Sequence, residues 1–344
     1  MSKYANIIVD ISHEKLDKTF QYSIPQELLS FIKVGVAVEV PFGRRTISGY
    51  VIELTDEPEF DVEKIKPIKC IKEGSVAIES QLIELAGWIK DNYGSTMNQA
   101  LKTVIPIKKE TKAIVKRTIH LLLSEEEARR KLVIFEAKNQ TARARLLREL
   151  IKAKSLDYAI VTGKLNVTAP VIKSFCEQKI IEIESSNDYR NPISHLTSRG
   201  YDISLNDEQQ NVVDTITRDF AAGEPYTYLL KGVTGSGKTE VYMELIAHMI
   251  ARGKQAIVLI PEIALTFQTV MRFYNRFGDR VSIMNSRLSA GERYDQFQRA
   301  KNGDIDIMIG PRSALFTPFS NIGIIIIDEE HENSYKSETS PRYH

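Results

Sequence analysis

A glycine-rich stretch at residues 231–239, KGVTGSGKT, constrains this chain more than any other feature of its sequence. It completes the pattern G-x-x-x-x-G-K-[ST], whose fixed positions are Gly232, Gly237, Lys238 and Thr239. Residues 226–230 before it are aromatic and apolar, as in a buried strand, and residues 240–252 after it carry apolar side chains at helical spacing. A strand, a glycine-rich loop and a helix in this order predict a phosphate-binding loop.

The residue types in this loop suit the binding of ATP together with Mg²⁺. Glycines let the backbone approach a phosphate closely, and the amide groups at a helix N-terminus supply partial positive charge. Lys238 adds a full positive charge, and the Thr239 hydroxyl can ligate Mg²⁺. The alternative, a chance glycine-rich turn before a helix, is disfavoured by the complete pattern in this context. The residues expected to contact ATP are Gly232, Val233, Thr234, Gly235, Ser236, Gly237, Lys238 and Thr239.

Length and composition limit the class of protein. At 344 residues the chain is long enough for two or three domains of about 150 residues each. The net charge of +1 argues neither for nor against nucleic acid, so any basic surface has to be local. Cys70 and Cys176 are too far apart for a metal-binding spacing and are expected to be reduced thiols. Because residues 1–10 lack a signal-peptide core and no apolar run approaches the roughly 20 residues of a membrane helix, we expect a soluble, cytoplasmic protein without membrane contact.

The first part of the chain, residues 1–105, consists mainly of predicted β-strands. A helix is predicted over residues 80–92, and we expect Trp88 on that helix to pack into the core. These features indicate a small β-rich domain, and composition alone assigns it no function. The predicted strands lie at residues 7–9, 20–24, 34–40, 47–54 and 65–71, with a turn at 41–45.

Residues 111–185 differ in character and predict a second domain. Three short helices, at 141–153, near 155–162 and from 168 or 169 onward, precede a strand at 179–183. This is the order of a winged-helix domain, which contacts DNA in some proteins and only bridges domains in others. The polar stretch at residues 186–203 predicts a linker.

Residues 204–344 alternate between predicted strands and helices, which indicates a parallel sheet flanked by helices. The isoleucine run at 324–327 is typical of a strand buried on both faces. The expected fold class is therefore multidomain α/β, with a β-rich domain, a winged-helix domain and a P-loop lobe built on a parallel sheet. The strands of this lobe are predicted at residues 226–230, 255–260, 281–284, 305–309 and 322–327.

An acidic cluster, Asp328-Glu329-Glu330-His331, follows the isoleucine run. Ligands bind beyond the carboxyl ends of the strands in such a sheet, so the cluster is expected to face the phosphate-binding loop. Asp328 would hold Mg²⁺ and Glu329 would orient or deprotonate the attacking water, with Lys238 as a further catalytic group. The alternative is a polar cluster that only caps the strand. His331 either couples nucleotide state to a second lobe or caps a turn.

Four blocks of sequence, at residues 232–242, 261–266, 312–319 and 328–332, occur in this order along the chain. They closely resemble the PriA family of bacterial replication-restart helicases of the DExH class. Shorter matches in the amino-terminal domain and in the final loop lie at residues 19–22, 40–43, 334–336 and 342–344. The resemblance implies a RecA-like fold for the P-loop lobe. It also implies an ATP-dependent 3′→5′ DNA helicase that recognises stalled or abandoned replication forks and initiates primosome assembly for replication restart.

The resemblance implies roles for individual residues as well. In the family, the β-rich domain binds the 3′ end of the nascent leading strand, and the similar positions here are Phe20, Gln21, Gly43 and Lys66. Most members carry Asp at the position of Gln21. Gln209 matches the residue that reads adenine. Further DNA contacts are implied at Pro261, Thr266, Arg312, Ser313, Tyr335, Lys336, Arg342 and Tyr343.

Ligands, partners and location follow from the same resemblance. It implies that the protein binds forked and single-stranded DNA. It also implies single-strand-binding protein, other primosome proteins and the replicative helicase as protein partners, and a nucleoid-associated location in the bacterial cytoplasm. Family members continue beyond the position of His344 with a second RecA-like lobe, which carries arginine fingers, and with Zn²⁺ sites. We therefore expect this chain to bind DNA but to hydrolyse ATP poorly by itself, since an arginine finger contributes about 10³-fold or more in rate. Two other functions stay open, a DExH DNA translocase of repair and a non-catalytic fork-binding scaffold.

Overall fold

A computed structural model describes residues 3–105, 114–190, 192, 204–224, 226–233 and 235–344. The contacts within the chain group it into two compact units. One unit contains residues 1–111 and 191–344, and the other contains residues 112–190. None of the helices in the described ranges has the length and apolar character that a membrane crossing requires.

The amino-terminal part of the first unit is an antiparallel sheet, as predicted. Its strands are β1 (Tyr4–Val9), β2 (Phe20–Ser23), β3 (Ala37–Phe42), β4 (Arg45–Thr55) and β5 (Cys70–Ile71). They lie in the order β2-β1-β4-β3-β5, and all six residues of β1 are buried. β3 and β4 form a hairpin whose turn contains Gly43, at a φ of 59°. The last predicted strand is present only as the two residues of β5.

Two helices cover this sheet, α1 (Ser80–Tyr93) and α2 (Met97–Val104). Leu82, Ala86 and Ile89 of α1 lie in an apolar cluster with residues of α2. The expectation that Trp88 joins the core is wrong, because its side chain is 53% exposed. Residue 88 lies about 200° around the helix from residue 86, so the inward stripe turns the indole outward.

The second unit is an antiparallel sheet in the order β7-β6-β8 with four helices among its described residues. The predicted helix at 141–153 is confirmed, whereas the first strand and the first helix were not predicted. β8 continues to Asp188, three residues into the predicted linker, and residues 193–203 of that linker lie outside the described residues. The elements are β6 (Ile114–Leu121), α3 (Glu125–Ala137), α4 (Thr141–Ala153), β7 (Ser155–Asp157), α5 (Tyr158–Gly163), α6 (Ala169–Glu177) and β8 (Ile181–Asp188).

The carboxy-terminal part of the first unit is a parallel sheet flanked by helices, which confirms the predicted P-loop lobe. Its strands are β9 (Gln255–Leu259), β10 (Val281–Ile283), β11 (Ile307–Gly310) and β12 (Ile322–Ile327), in the order β10-β11-β9-β12. Its core joins residues of several elements, among them Ile246, Val258, Phe273 and Ile309. The helices are α7 (Asp207–Ala221), α8 (Lys238–Ala251), α9 (Phe267–Phe277) and α10 (Ala290–Asn302).

Two expectations about this sheet are wrong. Residues 226–230 form no strand, and Leu229 is 79% exposed. β12 is an edge strand of the described sheet, and Ile325 and Ile327 are 45% and 50% exposed rather than buried on both faces. A strand needs the backbone groups of a neighbour to pair with, and an apolar run signals strand propensity without supplying that neighbour.

The β-rich part and the P-loop lobe share an apolar cluster within the first unit. Phe316, which follows β11, and Tyr343 pack edge to face with ring centroids 5.7 Å apart. Both rings are buried in the cluster that contains α1 and α2. Gln81 of α1 also donates a hydrogen bond to the carbonyl oxygen of Phe319, at 2.8 Å. The two parts are therefore held together by side chains from loops of the lobe.

Truncating Phe316 should weaken this shared cluster. The side chain is 3% exposed, and truncation of a buried phenylalanine costs about 3–5 kcal/mol of unfolding free energy. We expect a loss of that size in Phe316→Ala, measured by urea unfolding. The fluorescence of Trp88, the single tryptophan of the sequence, reports on α1.

Phe31→Ala is the matched control, because Phe31 is 64% exposed in the same β-rich part. That change should alter the unfolding free energy by no more than about 0.5 kcal/mol. A loss below about 1 kcal/mol in Phe316→Ala would contradict a stabilising role for the shared cluster.

Candidate nucleotide-binding and DNA-binding sites

The phosphate-binding loop leads directly into α8, which begins at Lys238. Gly235 and Gly237 have φ values of 80° and 81°, in the left-handed region that favours glycine. The Lys238 ammonium donates hydrogen bonds to the carbonyl oxygens of Gly232 (2.6 Å) and Val233 (3.0 Å). A full positive charge therefore lies inside the loop at a helix N-terminus, which suits a polyphosphate. Thr234 lies outside the described residues.

Gln209 connects α7 to this loop. Its side-chain oxygen accepts from the backbone N–H of Asn206 (2.9 Å), which completes a capping box at the start of α7. Its side-chain nitrogen donates to the carbonyl oxygen of Ser236 (2.9 Å). A Cβ at Gly237 would lie 2.2 Å from the same nitrogen, so a larger residue at 237 would displace Gln209. The residue expected to read adenine thus touches the phosphate loop.

The acidic cluster follows β12 and lies beside α8. The hydroxyl of Tyr242 is 3.4 Å from Oδ1 of Asp328. Thr239 and Tyr242 are three residues apart on α8 and therefore share a face of the helix. Asp328 therefore lies on the side of α8 that also carries position 239. Among the described residues no group of three or more His, Cys, Asp or Glu side chains is arranged as a metal site.

Two tyrosines, the half-buried Tyr242 and the buried Tyr335, are affected by the negative charge of the cluster. Burial raises the pKa of Tyr242 to about 12, and the Asp328 carboxylate adds to that rise. Burial and the same carboxylate raise the pKa of Tyr335 well above its usual range. Both phenols therefore stay protonated at neutral pH and can donate hydrogen bonds. The Tyr335 hydroxyl reaches the carbonyl oxygens of Asp328 (2.6 Å) and Leu259 (3.0 Å).

The remaining two residues of the predicted catalytic set lie in the turn after β12. Glu329 has a φ of 49°, a left-handed conformation that is uncommon for a residue other than glycine. Such conformations occur often at functional sites. His331 is exposed, and its Nδ1 lies 3.8 Å from a carboxylate oxygen of Glu330.

The loops predicted to touch DNA differ in how exposed they are. Thr266 caps α9 and is exposed, whereas Pro261 is buried. Lys336 and Arg342 of the final loop are exposed, whereas the rings of Tyr335 and Tyr343 are buried. Arg312 and Ser313 are half-buried.

Arg312 links two of these loops through the backbone. Its guanidinium donates to the carbonyl oxygens of Ser334 (3.3 Å) and Lys336. The final loop is therefore fixed at three places: by Arg312, by Tyr335 beside Asp328 and by Tyr343 in the shared apolar cluster. A displacement of this loop would act directly on the backbone of Asp328.

The four residues expected to form an end pocket do line one cavity, of about 240 Å³, on the β-rich part. Phe20 packs edge to face against Phe42, with ring centroids 5.2 Å apart. Gln21 is buried, Gly43 lies at the β3–β4 turn, and Lys66 is exposed. The cavity therefore combines aromatic surface with positive charge, as a nucleotide end requires.

Five lining residues were not predicted from the sequence: Tyr22, Pro41, Phe42, Phe60 and Lys64. Phe42 stood in a block that resembled the family, beside Gly43. Phe60 is 61% exposed in a loop rich in acidic residues, which is an unusual place for a large aromatic side chain. Tyr242 was also missed, and only its contact with Asp328 identifies it.

Two family models match the chain. Residues 6–106 match the 3′ DNA-binding domain of PriA, and residues 206–343 match the DEAD/DEAH box helicase model. The β-rich part and the P-loop lobe thus define a class of protein in which a 3′ DNA-binding domain accompanies a helicase lobe.

The curated relatives agree with both matches, and the chain belongs to the PriA family of replication restart proteins. The relative from Bacillus subtilis is 31% identical over 405 residues, which cover 99% of this chain and 50% of that protein. The relative from Chlamydia trachomatis is 34% identical, covering 99% of this chain and 46% of that protein. A relative from Synechocystis is 50% identical over 117 residues. The chain spans about half the length of the first two relatives.

Replacing Gln209 by Glu tests its contact with the phosphate loop separately from its cap. A glutamate at this position preserves the capping box but cannot donate to the Ser236 carbonyl. We expect Mg²⁺·ATP to bind about two- to tenfold more weakly, since one hydrogen bond contributes about 0.5–1.5 kcal/mol. Titration with a fluorescent ATP analogue measures this, and the unfolding midpoint should stay unchanged.

Gln210→Glu is the control, because the side chain of Gln210 donates to Asp214 (2.8 Å) one turn further along α7 and not to the phosphate loop as the structure describes it. Equal affinities for the analogue in the two variants would show that the Gln209 contact has no part in nucleotide binding.

Proposed function

We propose that this chain carries the fork-recognising and ATP-binding parts of an ATP-dependent 3′→5′ DNA helicase that restarts stalled or abandoned replication forks. The observation that carries the proposal is that the cavity lined by Phe20, Gln21, Gly43 and Lys66 lies in the same compact unit as the glycine-rich loop. The final loop contacts both parts, since Tyr343 packs near α1 while Tyr335 contacts the backbone of Asp328.

In this proposal each residue of the nucleotide site has a distinct task. ATP lies on the loop of residues 232–239 with its adenine near Gln209, and Lys238 neutralises the phosphates. Thr239 and Asp328 hold Mg²⁺, and Glu329 orients the attacking water. His331 lies exposed beside this cluster, where it can contact a second lobe. The match of residues 206–343 to the DEAD/DEAH box helicase model supports ATP as the nucleotide.

DNA is assigned to two places in the first unit. The 3′ end of a leading strand enters the pocket of Phe20, Gln21, Gly43 and Lys66. The single strand runs along the loops that carry Pro261, Thr266, Arg312, Ser313, Lys336 and Arg342. Tyr335 and Tyr343 position the final loop from within, since both rings are buried.

The second unit is a winged-helix module in this proposal, because α4, α5 and α6 precede the strand β8. In its basic helix α4, Arg148 pairs with Glu136 (2.6 Å) and Lys152 with Glu149 (2.9 Å), whereas Arg143 and Arg145 donate to neutral groups. We assign the main DNA contacts to the first unit, because the candidate end pocket and the loops named above lie there. Single-strand-binding protein, primosome proteins and the replicative helicase are partners by resemblance. Zn²⁺, which the resemblance implies for longer family members, is assigned no residue of this chain.

Binding to a model fork tests the proposal. The chain should bind a fork with a leading-strand 3′ end at the junction about tenfold more tightly than the same fork without that strand, since one stacked base contributes about 1–3 kcal/mol. Fluorescence anisotropy at one stated salt concentration measures this, because backbone contacts make the affinity salt-dependent. Phe20→Ala should abolish the preference.

Phe31→Ala is the matched control, as an exposed phenylalanine that does not line the pocket, and it should keep the preference. Equal binding of both forks by the unmodified chain would contradict fork recognition. It would favour a helicase lobe that acts on single-stranded DNA without regard to its ends.

A further inference from the structure

The end pocket has an unusual polar floor. Gln21 is 7% exposed, and both ends of its amide are engaged with one loop. Its oxygen accepts from the backbone N–H of Glu59 (2.7 Å), and its nitrogen donates to the carbonyl oxygen of Glu57 (3.2 Å). Because the amide bonds an N–H on one side and a carbonyl on the other, its orientation is defined. Gln21 thus holds the loop that carries Phe60 at the mouth of the pocket.

A second tether holds the acidic side chain of this loop to the sheet. Asn6 is the direct partner of Gln21 across the β1–β2 pairing. Its side-chain nitrogen donates to the carboxylates of Glu59 (2.7 Å) and Glu53 (3.1 Å). Neither carboxylate lines the cavity.

The charge of the cavity wall is therefore positive. Among the described residues that line it, the charged ones are Lys64 and Lys66, and no carboxylate is present. Lys64 lies 3.3 Å from Asp61, but both side chains are more than half exposed, so this pair is weak. A third cation, Lys18, lies 5.5 Å from the centre of the Phe20 ring.

We propose that the pocket accepts a DNA 3′ end that carries a terminal phosphate, in addition to one that carries a hydroxyl. The inference rests on the proposed function, since it concerns the same end pocket. A carboxylate at the floor would repel a terminal phosphate, whereas the neutral Gln21 does not. Lys64 and Lys66 supply the counter-charge, and Phe60 stacks on the terminal base. This chain then binds blocked ends as well as extendable ones.

Three DNAs of identical sequence test the inference with the 344-residue chain. They are a recessed duplex with a 3′-hydroxyl, the same duplex with a 3′-phosphate, and a dumbbell closed by hairpin loops that has no 3′ end. We expect the 3′-phosphate DNA to bind at least as tightly as the 3′-hydroxyl DNA, and both to bind on the order of tenfold more tightly than the dumbbell. Fluorescence anisotropy at low, fixed salt retains the contribution of the lysines.

Gln21→Glu tests the neutral floor, because it adds a negative charge at nearly constant volume; it also removes the donor to the Glu57 carbonyl, and that loss acts on both end-bearing DNAs alike. It should weaken binding of the 3′-phosphate DNA by about tenfold and that of the 3′-hydroxyl DNA by much less. Lys66→Gln should also weaken mainly the 3′-phosphate complex. Lys33→Gln, an exposed lysine of the same β-rich part outside the pocket, is the control and should affect both equally. Phe60→Ala should weaken both end-bearing DNAs by a similar factor.

The outcomes separate this inference from the proposed function. If the 3′-hydroxyl DNA binds better than the dumbbell while the 3′-phosphate DNA does not, end recognition stands and phosphate acceptance is overturned. If neither end-bearing DNA binds better than the dumbbell, end recognition itself fails, and this inference fails with it. Tight binding of the 3′-phosphate DNA that Gln21→Glu leaves unchanged would overturn the role of the neutral floor.

Discussion

The parallel pairing of β9 with β12 is the constraint on which the nucleotide site depends. Leu259 and Ile327 are register partners at the ends of these strands, and the N–H of Asp328 donates to the carbonyl oxygen of Leu259 at 2.9 Å. This register brings two chain segments out of the sheet side by side. One carries the acidic cluster, and the other continues into the loop of residues 261–266. Because strands in a parallel sheet end at a common edge, the segments proposed to carry catalytic and DNA-contacting residues become neighbours without a dedicated connection.

The final loop extends this arrangement to the β-rich part. Tyr335 contacts the backbone on both sides of the β9–β12 junction, whereas Tyr343 lies in the apolar cluster with α1 and α2. The guanidinium of Arg312 also donates hydrogen bonds to two carbonyl oxygens of this loop, those of Ser334 and Lys336. A single short segment is therefore fixed to the β-rich part at one end and to the backbone of Asp328 at the other. Such a connection makes it physically possible for DNA engagement and nucleotide state to affect each other, because a packed segment shifts as a unit.

Local patterns in the sequence identified most of what depends on local chemistry. The complete P-loop motif, the strands of the two sheets in the first unit and the acidic cluster after β12 could all be read from local patterns of residues. Features that depend on tertiary partners could not be read in this way. Residues 226–230 have the composition of a strand but no neighbour to pair with in the described chain, and Trp88 lies outside a helical stripe that already fills the core. The contact of Tyr242 with Asp328 joins residues 86 positions apart, so no local pattern encodes it.

The two candidate anion sites differ in how reliably their ligand can be inferred for one chain from the family to which it belongs. At the phosphate loop, much of the charge comes from backbone amides and a helix N-terminus, so the complete motif carries most of the chemistry. At the end pocket, specificity depends on single side chains. The four residues that a family resemblance implied do line one cavity, yet Gln21 makes its floor neutral and engages that floor with the loop of Phe60. The position of such a pocket can therefore be inferred from relatives more readily than its selectivity for a ligand. An amide in place of one carboxylate reverses the expected response of the pocket to a phosphate.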